Sequence, residues 1–220
     1  LGQVAFDRVA DALAAERPAL CLAWLGIDML PMALQSASHQ VPHITILNMK
    51  HNMLQLLPSE LFLCLNQLKE IDVSENHICY LPEAIGLATG LRKLSLQKNC
   101  LRNLPDGFGL LHALEALNVA HNSLEKLPKA IGEWKELRRL DLAYNFLQEI
   151  PHEAGLLAKL EHVDISGNPI QRMPLAIERL QTKGELLRSK ARRQNLLRRA
   201  LHVRDSVRSA FVGECCNESS

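Results

Sequence analysis

Aliphatic residues recur along most of this chain on two scales. Within short runs they alternate with polar ones, as in Leu94-Ser95-Leu96, which predicts a short strand with one apolar face. Over a longer distance the whole run returns. Asparagines followed two residues later by an aliphatic residue stand at Asn52, Asn76, Asn99, Asn122, Asn145 and Asn168, spaced by 24, 23, 23, 23 and 23 residues. Around each lies the pattern L-x-x-L-x-L-x-x-N-x-L-x-x-L-P-x-x-I with aliphatic substitutions. One copy reads Leu91, Leu94, Leu96, Asn99, Leu101, Leu104, Pro105, Phe108, and the next reads Leu114, Leu117, Val119, Asn122, Leu124, Leu127, Pro128, Ile131. A unit of this length cannot bury its leucines alone and must stack on its neighbours. The strands are expected to stack in parallel on a concave side. Pro58, Pro82, Pro105, Pro128, Pro151 and Pro174 begin the return segments, where the missing N–H suits an irregular convex side.

The pattern resembles the leucine-rich repeat superfamily, in its 23-residue LPxxI class, and the regular array looks like intracellular repeats of the Ras-suppressor and Shoc2-like kind. The resemblance implies an α/β solenoid with a curved, parallel concave sheet and capping helices at both ends. It also implies a protein-binding scaffold. It carries over no particular partner, because the template builds the fold while the variable outward residues choose what binds.

The chain divides into five parts on this reading. Residues 1–19 form an N-terminal capping helix, with Val4, Phe6, Val9 and Leu13 at helical spacing. Residues 20–43 are a degenerate first repeat: Leu20, Leu22, Ile27, Leu30, Pro31 and Leu34 fit the template, but Leu25 replaces the asparagine and Ser36 to His43 add polar length. Residues 44–182 hold six repeats, 183–213 a basic helix, and 214–220 a polar tail. The six asparagines are expected to be buried and bonded to the backbone of their own and the adjacent turn. An edge repeat has no preceding turn to serve, which accounts for Leu25.

Composition narrows the function. Hydrophobic residues make up 47% but aromatics only 4%, so the core must be aliphatic. A net charge of +1, from 25 basic and 24 acidic residues, leaves no global footprint for nucleic acid. Six cysteines without a CxxC pair or a bracketing cluster point to a reducing, intracellular setting, the cytoplasm being expected. The apolar run from Ala19 to Leu34 is too short to span a bilayer and is broken by Asp28 and Pro31. No GxGxxG, Walker loop or GxSxG is present, and His152-Glu153 lacks the second histidine of a zinc-protease helix. Neither an enzyme, a cofactor, a metal nor a small-molecule substrate is expected.

Outward strand positions fall into columns about 4.8 Å apart. Lys69, Arg92, Glu115, Arg138 and Glu161 make one column, with signs alternating from Arg92 onward, and Glu70 faces Lys93 as Glu75 faces Lys98. Such exposed ladders are worth only about 0–1 kcal/mol per pair. A second column reads Asn48, Asp72, Ser95, Asn118, Asp141, Asp164, placing two aspartates side by side as the unpaired element of the face. Arg139 and His162 lie in the next column and either relieve the repulsion between these aspartates, or leave the pair to receive a lysine or arginine from a partner, with Tyr144 and Phe146 adding aromatic area. A third column holds His51, Glu75, Lys98, His121 and Tyr144. The expected partner-binding residues are Asp72, Lys98, Asn118, His121, Arg139, Asp141, Tyr144, Phe146 and Asp164.

In the basic segment, Arg192, Arg193, Arg198 and Arg199 are candidates for an anionic surface, so nucleic acid or acidic membrane would engage only there; capping the last repeat is the simpler role. Cys215 and Cys216 follow it. Two functions remain open: a regulatory adaptor binding a signalling protein in the groove, or a structural subunit of a ribonucleoprotein or cytoskeletal assembly. Surface leucines outside the template would favour the second.

Overall fold

The computed structural model describes residues 2–31, 34 and 43–180. The basic segment 183–213, the tail 214–220 and most of the polar stretch before His43 lie outside the described residues. So do Arg192, Arg193, Arg198, Arg199, Cys215 and Cys216.

Helix α1 (Gly2–Ala14) places Ala5, Val9 and Ala12 inward and leaves Val4 and Phe6 exposed. Seven three-residue strands follow: β1 (Ala19–Cys21), β2 (Ile46–Asn48), β3 (Glu70–Asp72), β4 (Lys93–Ser95), β5 (Ala116–Asn118), β6 (Arg139–Asp141) and β7 (His162–Asp164). They form one parallel sheet in sequence order. The pattern of one inward residue between two outward ones fixes the register, because a one-residue slip would turn every leucine to solvent. Leu47 therefore pairs with Ile71, Ile71 with Leu94, Leu94 with Leu117, Leu117 with Leu140 and Leu140 with Val163. The resulting spine is buried throughout. This is the α/β solenoid that the repeat spacing predicts.

The asparagines complete the stack. Asn122 accepts the Leu101 N–H at 3.0 Å through Oδ1, and its Nδ2 donates to Leu96 O and Val119 O, both at 3.0 Å. Each amide thus serves its own coil and the preceding one. Asn52 does this for the first coil: Leu25 and Ile27 donate to it, and it donates to Leu22 O. Leu25 itself needs no amide there and is buried as an apolar residue. One expectation is corrected. Asn52, Asn76, Asn99, Asn122 and Asn145 are buried, but Asn168 is only half-buried. It keeps its bonds to Leu142 O and Ile165 O, yet it sits in the last described coil, where no regular strand follows to cover it.

On the opposite side, Pro58, Pro82, Pro105, Pro128 and Pro151 stand in extended conformations before short helices. The coil of 24 residues has room for an α-turn, α2 (Ser59–Cys64), while the 23-residue coils close with 3-10 turns at Glu83–Leu87, Asp106–Leu110, Lys129–Glu133 and His152–Leu156. These turns pack tightly. A Cβ on Gly107 would stand 2.3 Å from Glu83 O, and one on Gly86 would stand 2.7 Å from Gly107 O. The core is mostly aliphatic, with Phe62, Phe108 and Trp134 as large aromatic exceptions. Trp134 is fully buried and donates its indole N–H to Phe108 O at 2.7 Å, which satisfies its only polar atom.

Candidate partner-binding face

The outward residues of the sheet are positioned by two local devices repeated along the stack. The first is a turn after each strand. Asn48, Asp72, Asn118, Asp141 and Asp164 accept, through Oδ1, the backbone N–H two residues on: Lys50, Ser74, Ala120, Ala143 and Ser166, at 2.9–3.1 Å. The Ser74 and Ser166 hydroxyls add bonds to Asp72 and Asp164. Asn and Asp suit this position because their short side chains reach that N–H and close the turn. The expectation that Asp141 and Asp164 are an unpaired element is therefore corrected: each carboxylate has one oxygen engaged by its own turn. The two do lie at paired register positions.

The second device was not legible as a pattern of residue types. His51, Glu75, Lys98, His121 and Tyr144 all have φ between 53° and 56°, and Gly167 follows at 69°. Trp24, at 61°, begins the same column in the degenerate coil. Left-handed backbone is unfavourable for non-glycine residues. It persists because each N–H is delivered to the next coil: His121 donates to Ala143 O at 2.8 Å and Tyr144 to Ser166 O at 2.7 Å. The side chains then project as one stacked row.

That row is continuous in three stretches. Trp24 stacks on His51 with ring centroids 3.5 Å apart. His51 Nδ1 lies 2.9 Å from Glu75, which also meets Lys98 at 3.4 Å and Lys50 at 3.6 Å. Burial raises the Glu75 carboxyl, but the Lys98 hydrogen bond and the charges of His51, Lys98 and Lys50 outweigh it and hold it below the ordinary glutamate value. Beyond Lys98, His121 and Tyr144 form a second ring stack, and Tyr144 lies against Gly167, where a Cβ would stand 2.7 Å from its ring.

The site residues expected from the sequence are thus partly brought together. Lys98, His121 and Tyr144 share the left-handed row; Asp72, Asn118, Asp141 and Asp164 share the turn-closing column, in which Asn118 also bonds to Gln97. Arg139 lies beside them in β6 and pairs in register with His162. Phe146 stands apart. It follows the buried Asn145, donates its N–H to Leu124 O, and is 60% exposed on the loop beyond the sheet edge. The charge ladders form as expected, with Glu70–Lys93 at 2.7 Å and Arg92–Glu115 at 3.3 Å.

Sequence reasoning missed an exposed apolar group on the first coils. Trp24, Met29, Met53, Leu56 and Tyr80 are all exposed, Tyr80 by 76%. A signal existed: Met29, Leu56 and Tyr80 occupy one template position that later repeats fill with Asn103, Lys126, Glu149 and Arg172. Among the described residues no cluster of His, Cys, Asp and Glu is suited to a metal, and no helix is long and apolar enough to cross a membrane.

Stacked parallel strands, an asparagine ladder and proline-led return turns define a leucine-rich repeat solenoid. Residues 117–170 match the leucine rich repeat family. No curated protein matches its sequence. Among solved structures, a repeat protein of Leptospira interrogans is 22% identical with a TM-score of 0.51, over 78% of this chain and 61% of that one, and shows the fold alone. YopM, a leucine-rich effector of Yersinia pestis, is 26% identical with a TM-score of 0.63, over 78% of this chain and 43% of that one. A chain of the Toll–Spatzle complex of Drosophila is 25% identical with a TM-score of 0.59, over 65% of this chain and 20% of that one. The chain therefore spans less than two thirds of each of these proteins.

Proposed function

We propose that this chain is a non-catalytic, intracellular scaffold whose concave sheet face binds another protein. The reading rests on one observation above others: the left-handed row holds side chains of mixed chemistry in fixed positions. Tyr144 is 57% exposed although its ring is stacked, so it presents a pre-ordered apolar face on the same coil as Arg139 and Asp141. A surface ordered before binding loses little side-chain entropy when a partner docks. The similarity to a chain of the Toll–Spatzle complex, itself a protein–protein assembly, supports a protein partner. We assign the repeats to the 23-residue LPxxI class, of Ras-suppressor and Shoc2-like kind, and the role to a reversible signalling adaptor in the cytoplasm.

The structural-subunit alternative draws on Leu87, Leu110 and Leu156, which are exposed on the convex side outside the template. Coil packing accounts for at least two of them. Leu110 lies over Gly86 and Leu156 over Gly132, where their Cδ1 atoms would touch an added Cβ at 3.0 and 3.3 Å. These leucines thus shield backbone between coils, which favours the adaptor. Nothing in the comparisons supports nucleic-acid or membrane binding through Arg192, Arg193, Arg198 and Arg199.

The test is affinity capture with the whole chain. A partner retained by wild type and by the convex-side variant Lys129→Ala, but lost with Arg139→Ala plus Tyr144→Ala, places binding on the sheet face. Equal retention by both variants overturns the reading.

A further inference from the structure

Two cysteines that play no part in the partner-binding reading meet on the loops beyond the sheet edge. Cys79 and Cys100 belong to adjacent coils, and both are exposed free thiols. The Cys100 N–H donates to Ile78 O at 2.9 Å, which pins it against the residue preceding Cys79. The Cys79 N–H reaches back to Gln55 O at 3.3 Å, and its Sγ lies 3.5 Å from His77 O. Both side chains are outward, because Ile78 and Leu101 between and beside them point into the core. The Cys100 N–H bond to Ile78 O thus sets the two cysteines side by side across the coil boundary.

We propose that Cys79 and Cys100 form a dithiol modification site that reacts with low-molecular-weight disulfides and closes to a bridge between neighbouring coils. The Cys79 thiolate attacks one sulfur of oxidised glutathione, forming a mixed disulfide and releasing one glutathione thiolate. The Cys100 thiol then loses its proton to solvent, and its sulfur attacks Sγ of Cys79, expelling the second glutathione. Two protein thiols lose two electrons and two protons; the reagent's disulfide takes up the electrons and becomes two thiols. Burial first, and then the neighbouring Cys79, push the Cys100 thiol above its ordinary value, which suits it to the resolving step rather than the first attack. The other described thiols are placed differently. Cys64 is fully buried, and Cys21 is exposed on β1, several coils away from Cys79 and Cys100 in the sheet order.

The site also has a position that matters. Tyr80 and Arg102, the residues next to Cys79 and one past Leu101, line the groove that runs along the proline row. A bridge would fix these two loops to each other without touching the strands.

The experiment uses the full chain carrying Cys215→Ser and Cys216→Ser, so that this adjacent pair does not compete for reagent. The protein is equilibrated with mixtures of reduced and oxidised glutathione, quenched with acid and mapped by peptide mass. The expected result is a linked Cys79–Cys100 peptide, with Cys64 still reduced. With Cys100→Ser added, a glutathione adduct should instead persist on Cys79. Bridged protein should also unfold at a higher temperature than reduced protein, since a cross-link restricts the unfolded chain. Separate glutathione adducts on Cys79 and Cys100 without a linked peptide would overturn the proposal. So would consumption of Cys21 while both remain reduced.

Discussion

The imidazole of His121 and the phenol ring of Tyr144 lie parallel, 4.5 Å apart at the centroids and inclined by 9°. They sit one coil apart at equivalent positions, each in left-handed backbone, so the repeat geometry imposes the stack. On the far side Gly167 leaves room for the tyrosine ring. Two variants should separate these contributions. Tyr144→Leu removes the ring-current shift from the His121 ring protons in NMR spectra. Gly167→Ala adds a Cβ that would meet the ring at 2.7 Å, and should move those resonances by displacing the ring without removing it. Unchanged His121 resonances in both variants would mean the rings do not stack in solution.

The asparagine ladder predicts a gradient of stability effects. Asn122→Ala leaves the Leu101 N–H and two carbonyls without partners in a buried setting, which should cost on the order of 1–3 kcal/mol. Asn168→Ala should cost less, because water reaches its half-buried site. Lys126→Ala, at an exposed position, should change stability by less than about 0.5 kcal/mol. Urea unfolding of the three variants checks the order.

On the convex side, Gly107→Ala should destabilise by roughly 1–3 kcal/mol through overpacking. The added Cβ would fall 2.3 Å from Glu83 O, a backbone atom that cannot swing away. The Gly107 N–H also donates to Glu83 at 2.6 Å, so separating the turns breaks a bond as well. A thermal melt indistinguishable from wild type would show that the 3-10 turns stack more loosely than this.

Acid should weaken the array at Glu75. Its folded carboxyl lies below the ordinary value of 4.5, so the native state binds fewer protons than the unfolded chain in that window. The stabilisation is present in full above 4.5 and is lost as pH falls through the lower folded value. Glu75→Gln should therefore be less stable than wild type at neutral pH, with the gap narrowing below that value. A gap independent of pH in denaturant titrations would assign the loss to packing.

Fold and site were legible to different degrees, for physical reasons. The strands and return turns follow from residues that repeat in register, such as Leu94, Leu117 and Leu140, because burial demands the same residue type in every coil. Each asparagine was legible for the same reason. The column of His51, Glu75, Lys98, His121 and Tyr144 was legible from spacing, but its left-handed backbone was not, since backbone hydrogen bonds between coils impose the conformation and tolerate His, Glu, Lys and Tyr alike. Nor was the engagement of Asp141 by the Ala143 N–H, because periodicity reports which face a side chain occupies and not what its oxygens accept. Trp134 stands at an aliphatic template position, and Phe108 O lies in reach of its N–H.

The aspartate column offers a way to test the binding face without disturbing the fold. Asp141 and Asp164 each use one carboxylate oxygen to close their own turns. Asparagine retains that acceptor, as Asn48 and Asn118 do at equivalent positions, so Asp141→Asn with Asp164→Asn removes two charges and keeps the turns. Isolated protein should be as stable as wild type or slightly more so, since like charges at paired register positions repel. A partner cation placed between those carboxylates gains charge-assisted hydrogen bonds that an amide pair gives only weakly. Affinity for a captured partner should then fall by roughly tenfold or more, the equivalent of about 1.4 kcal/mol. Neutralising Arg92 and Glu115 should matter less, because they already engage each other at 3.3 Å. Calorimetry on the complex decides between these. Unchanged affinity in the double asparagine variant, with Arg92→Gln plus Glu115→Gln abolishing binding, would move the contact to the middle coils.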